Sequence, residues 1–408
     1  MPSFSIALSG LTAASSDLDV TANNVANADT TGFKASRAEF ADVYAAGAVN
    51  LNTSVVGEGV RLANTAQQFT QGNITTTSSN LDLAISGDGF FTMKNASGYV
   101  YTRNGEFGQD SNGNVVSSTG QFLQVYPPLT TGGFNTGALQ DLNLETAQSA
   151  PLATTGGSAI LNLPANSAAP AVAVFDPANP QSYNESTSTT VYDSLGNAYP
   201  ATFFFAQTAA AGTWDVYMTV NGAQVGGAQT LAFTTAGAVE GANAGDLAFD
   251  GFDPPGGATQ GQDFTFDFSK STQYGGGFGV TSIAQNGYAT GQLSTVSIDT
   301  TGIVSAVYTN GRSTQLGQLA LANFPNPQGL TQLGDTNWSQ TYASGSAVQG
   351  VAGSSGFGSI QSGALESSNV DLTSELVNMI TAQRAFDANA QVITTANQES
   401  QTVIAINH

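Results

Sequence analysis

LTSELVNMITAQRAFDANAQVITTANQESQTVIAI, Leu372 to Ile406, holds neither glycine nor proline. At ~1.5 Å per residue, an unbroken helix over this stretch runs roughly 50 Å. Leu372, Met379, Phe386 and Ile393 recur every seven residues. Leu376, Gln383, Ala390, Asn397 and Ile404 repeat at the same interval, offset by four. A helix of this length with a seven-residue apolar rhythm predicts a coiled-coil or assembly helix. Asp371 stands where an N-cap belongs, and Glu375 suits the positive end of the first turn.

The opposite end of the chain carries the same rhythm. Phe4, Leu11, Leu18 and Val25 are seven apart, with Leu8, Ser15 and Ala22 offset by four. This predicts a second helix, of about 25 residues. Matching seams at opposite ends predict termini that pair, with everything between them hung outward as β domains. The alternative is that each helix packs separately on the β-rich body.

Energetics favour assembly. Five large residues on the N-terminal seam yield roughly 7–15 kcal/mol on burial, at ~1.5–3 each. Ordering about 25 residues costs ~1–2 kcal/mol apiece in backbone entropy alone. Gly10, Thr12, Ser15, Ser16 and Thr21 lower the helix propensity further. The terminal helices are therefore expected to be mobile in a single copy and ordered in a polymer.

The chain of 408 residues is long enough for two to four domains. It is 40% apolar but only 9% charged, well below the usual quarter. Its 47 glycines and many short Thr, Val and Phe runs read as short strands and tight turns. The net charge of −21, with only 8 Lys and Arg, argues against nucleic acid and anionic membranes as partners. From Glu145 to Gln285 there are eleven acids and one base.

The absence of cysteine removes disulfides and thiolate chemistry, and the single histidine, His408, leaves no basis for a Ser/His/Asp triad or a histidine metal site. DSNGN at Asp110 lacks the spacing and terminal Glu of a calcium loop. GEGVRL at Gly57 lacks the third glycine of a dinucleotide fingerprint. No pair among the 29 acids is singled out by spacing for glycoside cleavage. No catalytic residue, metal, cofactor or small-molecule substrate is expected. With no base before Lys34, no signal-peptide n-region precedes the first apolar residues. The protein reads as soluble, or as exported with its N-terminus intact.

The fold class expected is α+β: long terminal helices forming a coiled-coil core, with nested, mainly antiparallel β domains in the middle. Residues 1–28 and 371–408 are assigned to the helical core, and 29–71 and 359–370 to a connector. Hairpin signals such as GDGFF, YTRNGEF and Asn310-Gly311 recur over 72–148 and 286–358, assigned to one inner β domain. Residues 149–285 are assigned to an outer acidic β domain, where Phe203, Phe204 and Phe205 suggest a strand buried on both faces.

ANNVANADTTGFK, Ala22 to Lys34, closes the first helix. Asn23, Asn24 and Asn27 suit a helix end and local backbone bonding. Gly32 is expected to turn the chain outward and Phe33 to anchor it. Contact between this cluster and neighbouring copies is one reading; a capped helix end is the other.

Three stretches carry a resemblance. SGLTAASSDLDVTANNVANADTTGFK, at Ser9 to Lys34, resembles the N-terminal signature of bacterial flagellar axial proteins, the rod, hook and hook-junction components. LDLAISGDGFF followed by YTRNGEF resembles a segment shared by hook and distal rod members. GALESSNVDLTSELVNMITAQRAFDANAQVITTANQ resembles the C-terminal signature. The inserted stretch at 149–285, with STTVYDSLGNAYP, points to the hook members rather than the distal rod subunit.

The resemblance implies a non-enzymatic structural subunit that self-assembles into a short curved tube. That tube would enclose an export channel and pass torque from rod to filament. Implied partners are further copies of the chain, a hook cap protein, the distal rod, hook–filament junction proteins and the flagellar type III export apparatus. The implied location is the extracellular flagellum, reached without signal cleavage. The competing class is a secreted β-rich adhesin or carbohydrate-active enzyme, which needs a buried carboxylate pair and no role for the termini.

Overall fold

The computed structural model describes residues 2–43, 57–144, 148–241 and 245–406, with side chains described over 4–43, 57–144, 148–241 and 245–402. The Ile404 side chain and the connector residues 44–56 lie outside these. The chain is mostly β, with two long helices at its ends, α1 (Pro2–Ala26) and α2 (Leu372–Ile406). It divides into two compact units.

The first unit spans Met1–Glu145, Thr295–Ala306 and Thr314–His408. After α1 comes an antiparallel hairpin of β1 (Ser36–Asp42) and β2 (Val60–Gln67), against which α1 also packs. Beyond β3 (Ile74–Thr76) and β4 (Leu83–Ser86) lies a sheet of twelve strands among the described residues. Its middle is β5 (Phe90–Asn95), paired with β6 (Gly98–Thr102) and with Phe122–Tyr126. Strand Ser313–Asn323 joins it from much later in the chain, with Leu319 opposite Val125 and Leu321 opposite Phe91.

Alternation sorts the side chains of this sheet onto two faces. Phe91, Met93, Leu123, Val125, Leu319 and Leu321 enter one core. Phe90, Tyr101, Phe324 and Trp338 enter another on the opposite face, joined by Phe69. There Phe69, Phe90 and Trp338 stack edge to face at 5.6–5.7 Å. The returning strands Ser359–Ser362 and Ala364–Glu366 pair with β4 and β3 and lead the chain into α2.

The second unit spans Thr146–Ser294 and Val307–Ser313. One sheet is an antiparallel meander from Glu185–Tyr192 to Val239–Glu240. The other centres on Gly156–Pro164. That strand pairs in parallel with Gln262–Asp267 and Thr272–Tyr274, and antiparallel with Gly279–Gln285. Side-chain alternation is the same in both orientations, so the parallel pairs leave no sign in the sequence. Phe203, Phe205, Trp214, Phe249, Phe264 and Phe266 share the buried core. Phe204 points the other way, against Phe175 at 5.3 Å and Tyr183 at 4.7 Å, so the Phe203–Phe205 strand is covered on both faces.

A single turn design recurs. In DSNGN, DSLGN and DTTGI, the leading carboxylates of Asp110, Asp193 and Asp299 accept backbone N–H groups two and four residues on, at 2.8–2.9 Å. Asn114 Nδ2 also donates to Asp110 Oδ2 at 3.0 Å, and these bonds hold the Asp110 carboxyl below its ordinary range, the Asn114 side chain foremost. A carboxylate engaged in this way closes a hairpin rather than a calcium loop.

Candidate functional site

α1 and α2 lie against one another. Along α2 the less exposed residues are Glu375, Met379, Ala382, Phe386, Asn389, Ile393, Ala396 and Ser400, an alternation of fours and threes, with Ala390 beside Asn389 also half-buried. Along α1 the buried ones are Ala7, Ala14, Thr21 and Asn24. The contact thus runs over small side chains. A Cβ built on Gly10 would stand 2.7 Å from Asn389 Oδ1, so the absent side chain lets the two helices come close.

This placement divides the sequence-predicted seam. Met379, Phe386 and Ile393 are half-buried, as are Leu11, Leu18 and Val25. Phe4, Leu8, Leu372 and Leu376 are exposed, at 39%, 48%, 46% and 50%. Of the expected partner row at an offset of four, Leu376, Gln383 and Asn397 are exposed in the single chain and Ala390 is half-buried. The closer row stands three residues beyond Met379, Phe386 and Ile393, at Ala382, Asn389 and Ala396. Small residues allow closer approach than leucine does, and Phe4, Leu8, Leu372 and Leu376 are left exposed together with Val377, Ile380 and Val392.

Asp371 caps α2. Its Oδ1 accepts the N–H of Thr373 at 2.9 Å and of Ser374 at 3.3 Å. The Ser374 and Thr373 amides hold the carboxyl below its ordinary range. A depressed carboxyl stabilises the folded state above its unfolded pKa of about 4, and the gain fades as pH falls through the folded value. Asp371→Ala is expected to fray the first turn and Asp371→Asn to keep most of it. Hydrogen exchange of the amides of Thr373 and Ser374 at neutral pH measures the difference, and equal exchange in both variants contradicts it.

At the other helix end the asparagines have distinct tasks. Asn24 is 1% exposed; its Nδ2 donates to Ser36 O and its Oδ1 accepts Ser36 N–H, both at 2.8 Å. This amide pairs with the first residue of β1 and fixes the hairpin against the helix. Asn27 Nδ2 donates to Asn23 O at 2.9 Å, and Asn27 Oδ1 accepts the Thr30 hydroxyl at 3.1 Å. The Asn23 side chain is exposed. Gly32 is left-handed at φ 69°, and a Cβ there would lie 2.5 Å from Asn104 N. Its N–H donates to Glu366 O at 2.7 Å. Phe33 is 5% exposed.

Beside Phe33 lies a buried charge triad. Lys34 Nζ stands 2.5 Å from Glu366 Oε1, and Arg103 Nη1 stands 3.1 Å from Glu366 Oε2. Lys34 and Glu366 are 1% and 0% exposed, and Arg103 is also buried. Lys34 also donates to Thr70 O and Arg103 to Gly87 O, both at 2.8 Å. Glu366 Oε1 accepts the Gly72 amide at 2.9 Å. Burial pushes both cations below their ordinary pKa, and Glu366 opposes the shift. Asn369 completes the tie: its Oδ1 accepts Ala35 N–H and its Nδ2 donates to Gln68 O, both at 2.7 Å.

Lys34 follows α1, Arg103 follows β6, and Glu366 and Asn369 precede α2. The cluster therefore fastens both helix roots to the inner sheet. No local pattern in the sequence assigns a role to Arg103, Glu366 or Asn369. The available signal is scarcity: only 8 bases occur in 408 residues.

A β-rich chain whose ends are helices, paired and rooted together on an inner sheet, is built as a structural subunit. Residues 4–34 match the flagella basal body rod protein family, and 84–165 match the flagellar hook protein FlgE/F/G D1 domain. Residues 162–288 match the flagellar basal body protein FlaE D2 domain, and 361–406 match the flagellar basal body rod FlgEFG protein C-terminal family. The flagellar hook protein FlgE of Escherichia coli is 40% identical, over 98% of this chain and 99% of that protein. FlgE of Salmonella typhimurium is 39% identical over the same shares. The crystal structure of Helicobacter pylori flagellar hook protein FlgE2 is alike in fold, with a TM-score of 0.51 at 14% identity, over 72% of this chain and 100% of that one. The chain belongs to the flagellar hook protein FlgE family. It is a structural subunit of the hook, in the hook–basal body of the flagellum.

Proposed function

We propose that copies of this chain polymerise into a curved, flexible tube that encloses an export channel and carries torque from rod to filament. The supporting observation is the outer face of α1 and α2. Phe4, Leu8, Leu372, Leu376, Val377 and Ile380 are all more than a third exposed. Such a stripe is costly in water and is covered when further copies pack around it. In this reading 1–28 and 371–408 form a coiled-coil core, with Leu11, Leu18, Val25, Met379, Phe386, Ile393 and Ile404 also serving the seam. Residues 29–71 and 359–370 connect it to the wall, formed by 72–148 and 286–358. Residues 149–285 form the acidic outer surface.

Export proceeds unfolded through the flagellar type III apparatus, without cleavage, and addition takes place beneath a hook cap protein. The ends of the tube meet the distal rod and the hook–filament junction proteins. The Asn23, Asn24, Asn27, Gly32 and Phe33 turn aims the core helix toward the wall; exposed Asn23 is the member placed to meet a neighbouring copy.

The test is negative-stain imaging of the purified chain in polymerising salt. Curved tubes are expected from the full chain and none after deletion of residues 1–28. Equal polymerisation of the deleted chain overturns the reading.

A further inference from the structure

We infer that the turn bearing Tyr342, on the inner β unit, is a contact knob that seats against a second copy of this chain. The inference rests on the assembly reading above and names a contact surface away from the terminal helices.

Tyr342 has a relative exposure of 104%, the highest among the large exposed apolar side chains described. It therefore touches almost nothing in its own chain. The turn beneath it is nonetheless rigid. Ser344, 0% exposed, accepts the Thr341 amide at 2.8 Å through its hydroxyl and donates to Thr341 O at 2.9 Å. Thr341 Oγ1 donates to Gly329 O at 2.5 Å, and Asn326 Nδ2 donates to Ala343 O at 3.0 Å. A Cβ on Gly329 would stand 2.4 Å from the Ala343 carbonyl carbon, so the two loops are in close contact. The backbone under Tyr342 is already held, so docking orders little beyond the ring's own two torsions. Tyrosine is also among the side chains that dominate interface energies.

Charge selects the occupant. Each copy carries −21, so two copies repel unless they meet where charge is sparse. Between Arg312 and Glu366 the only charged residue is Asp335. The Tyr342 turn lies within this nearly neutral tract, which also exposes Leu333 and Val348. A cationic partner would find little to bind in this tract, whereas a second acidic copy meets few like charges from it.

The test uses the full chain under polymerising salt, with nitration by tetranitromethane mapped by peptide mass. Tyr342 is expected to be nitrated readily in dilute monomer and to be protected about 10-fold or more in the polymer. Tyr342→Ser is expected to leave the melting temperature unchanged and to raise the critical concentration about 10-fold or more, with Tyr342→Phe near wild type. Equal nitration in a wild-type preparation that has polymerised overturns the inference and leaves the assembly reading standing. So does a Tyr342→Ser critical concentration equal to wild type. A wild-type chain that forms no polymer overturns the assembly reading, and this inference with it.

Discussion

Glu366→Gln is expected to lower the stability of the unit carrying the terminal helices by about 3–5 kcal/mol. Glutamine keeps the shape of the side chain and loses its charge. Lys34 and Arg103 are then left as two buried cations without a counter-charge between them, where Glu366 is fully buried. Desolvation already lowers the pKa of both, and the carboxylate is what opposes it. Removing one partner of a buried ion network costs far more than removing the whole network, because it leaves charge uncompensated. The triple variant Lys34→Met, Arg103→Met, Glu366→Met is accordingly expected to recover most of the loss. Urea unfolding followed by circular dichroism measures both. A loss below about 1 kcal/mol for Glu366→Gln, the size typical of an exposed ion pair, contradicts the role assigned to the triad.

Leu376→Glu is expected to separate folding from assembly. Leu376 is 50% exposed in the single chain, so the substitution changes monomer stability by only about ±0.5 kcal/mol. In a packed core the same carboxylate loses its water without gaining a partner, at a cost of several kcal/mol. Every ~1.4 kcal/mol is tenfold in concentration, so the critical concentration is expected to rise about 100-fold or more. Sedimentation after salt addition reads this directly. Hydrogen exchange gives a companion measurement: the amides of α1 and α2 are expected to slow on polymerisation, because the outer stripe becomes covered. Polymerisation of Leu376→Glu at the wild-type concentration removes the assembly role from this face.

Much of this architecture is legible in the amino-acid order. The freedom of Leu372–Ile406 from glycine and proline is enough to place α2, and Asp371 marks its start. The hairpin turns are legible too, since Asp110, Asp193 and Asp299 each precede glycine by three residues. The face of α2 that meets α1 is not legible. A seven-residue rhythm allows either offset, and the intrachain contact runs over Ala382, Asn389 and Ala396 rather than over Leu376. The choice depends on how closely two backbones approach, which Gly10 permits opposite Asn389.

The sequence alone determined the helical termini, the β-rich middle and the exclusion of cysteine and histidine chemistry. Those follow from local rules: period, propensity and the presence or absence of a side chain. Tertiary structure decided the parallel pairing of Gly156–Pro164, the inner row of the helix contact and the Lys34–Arg103–Glu366 triad. In the triad, Lys34 and Glu366 lie 332 positions apart and are joined at 2.5 Å. Nothing in the local sequence encodes such a meeting; it exists because the folded sheets bring both ends of the chain into one pocket, where desolvation makes pairing obligatory.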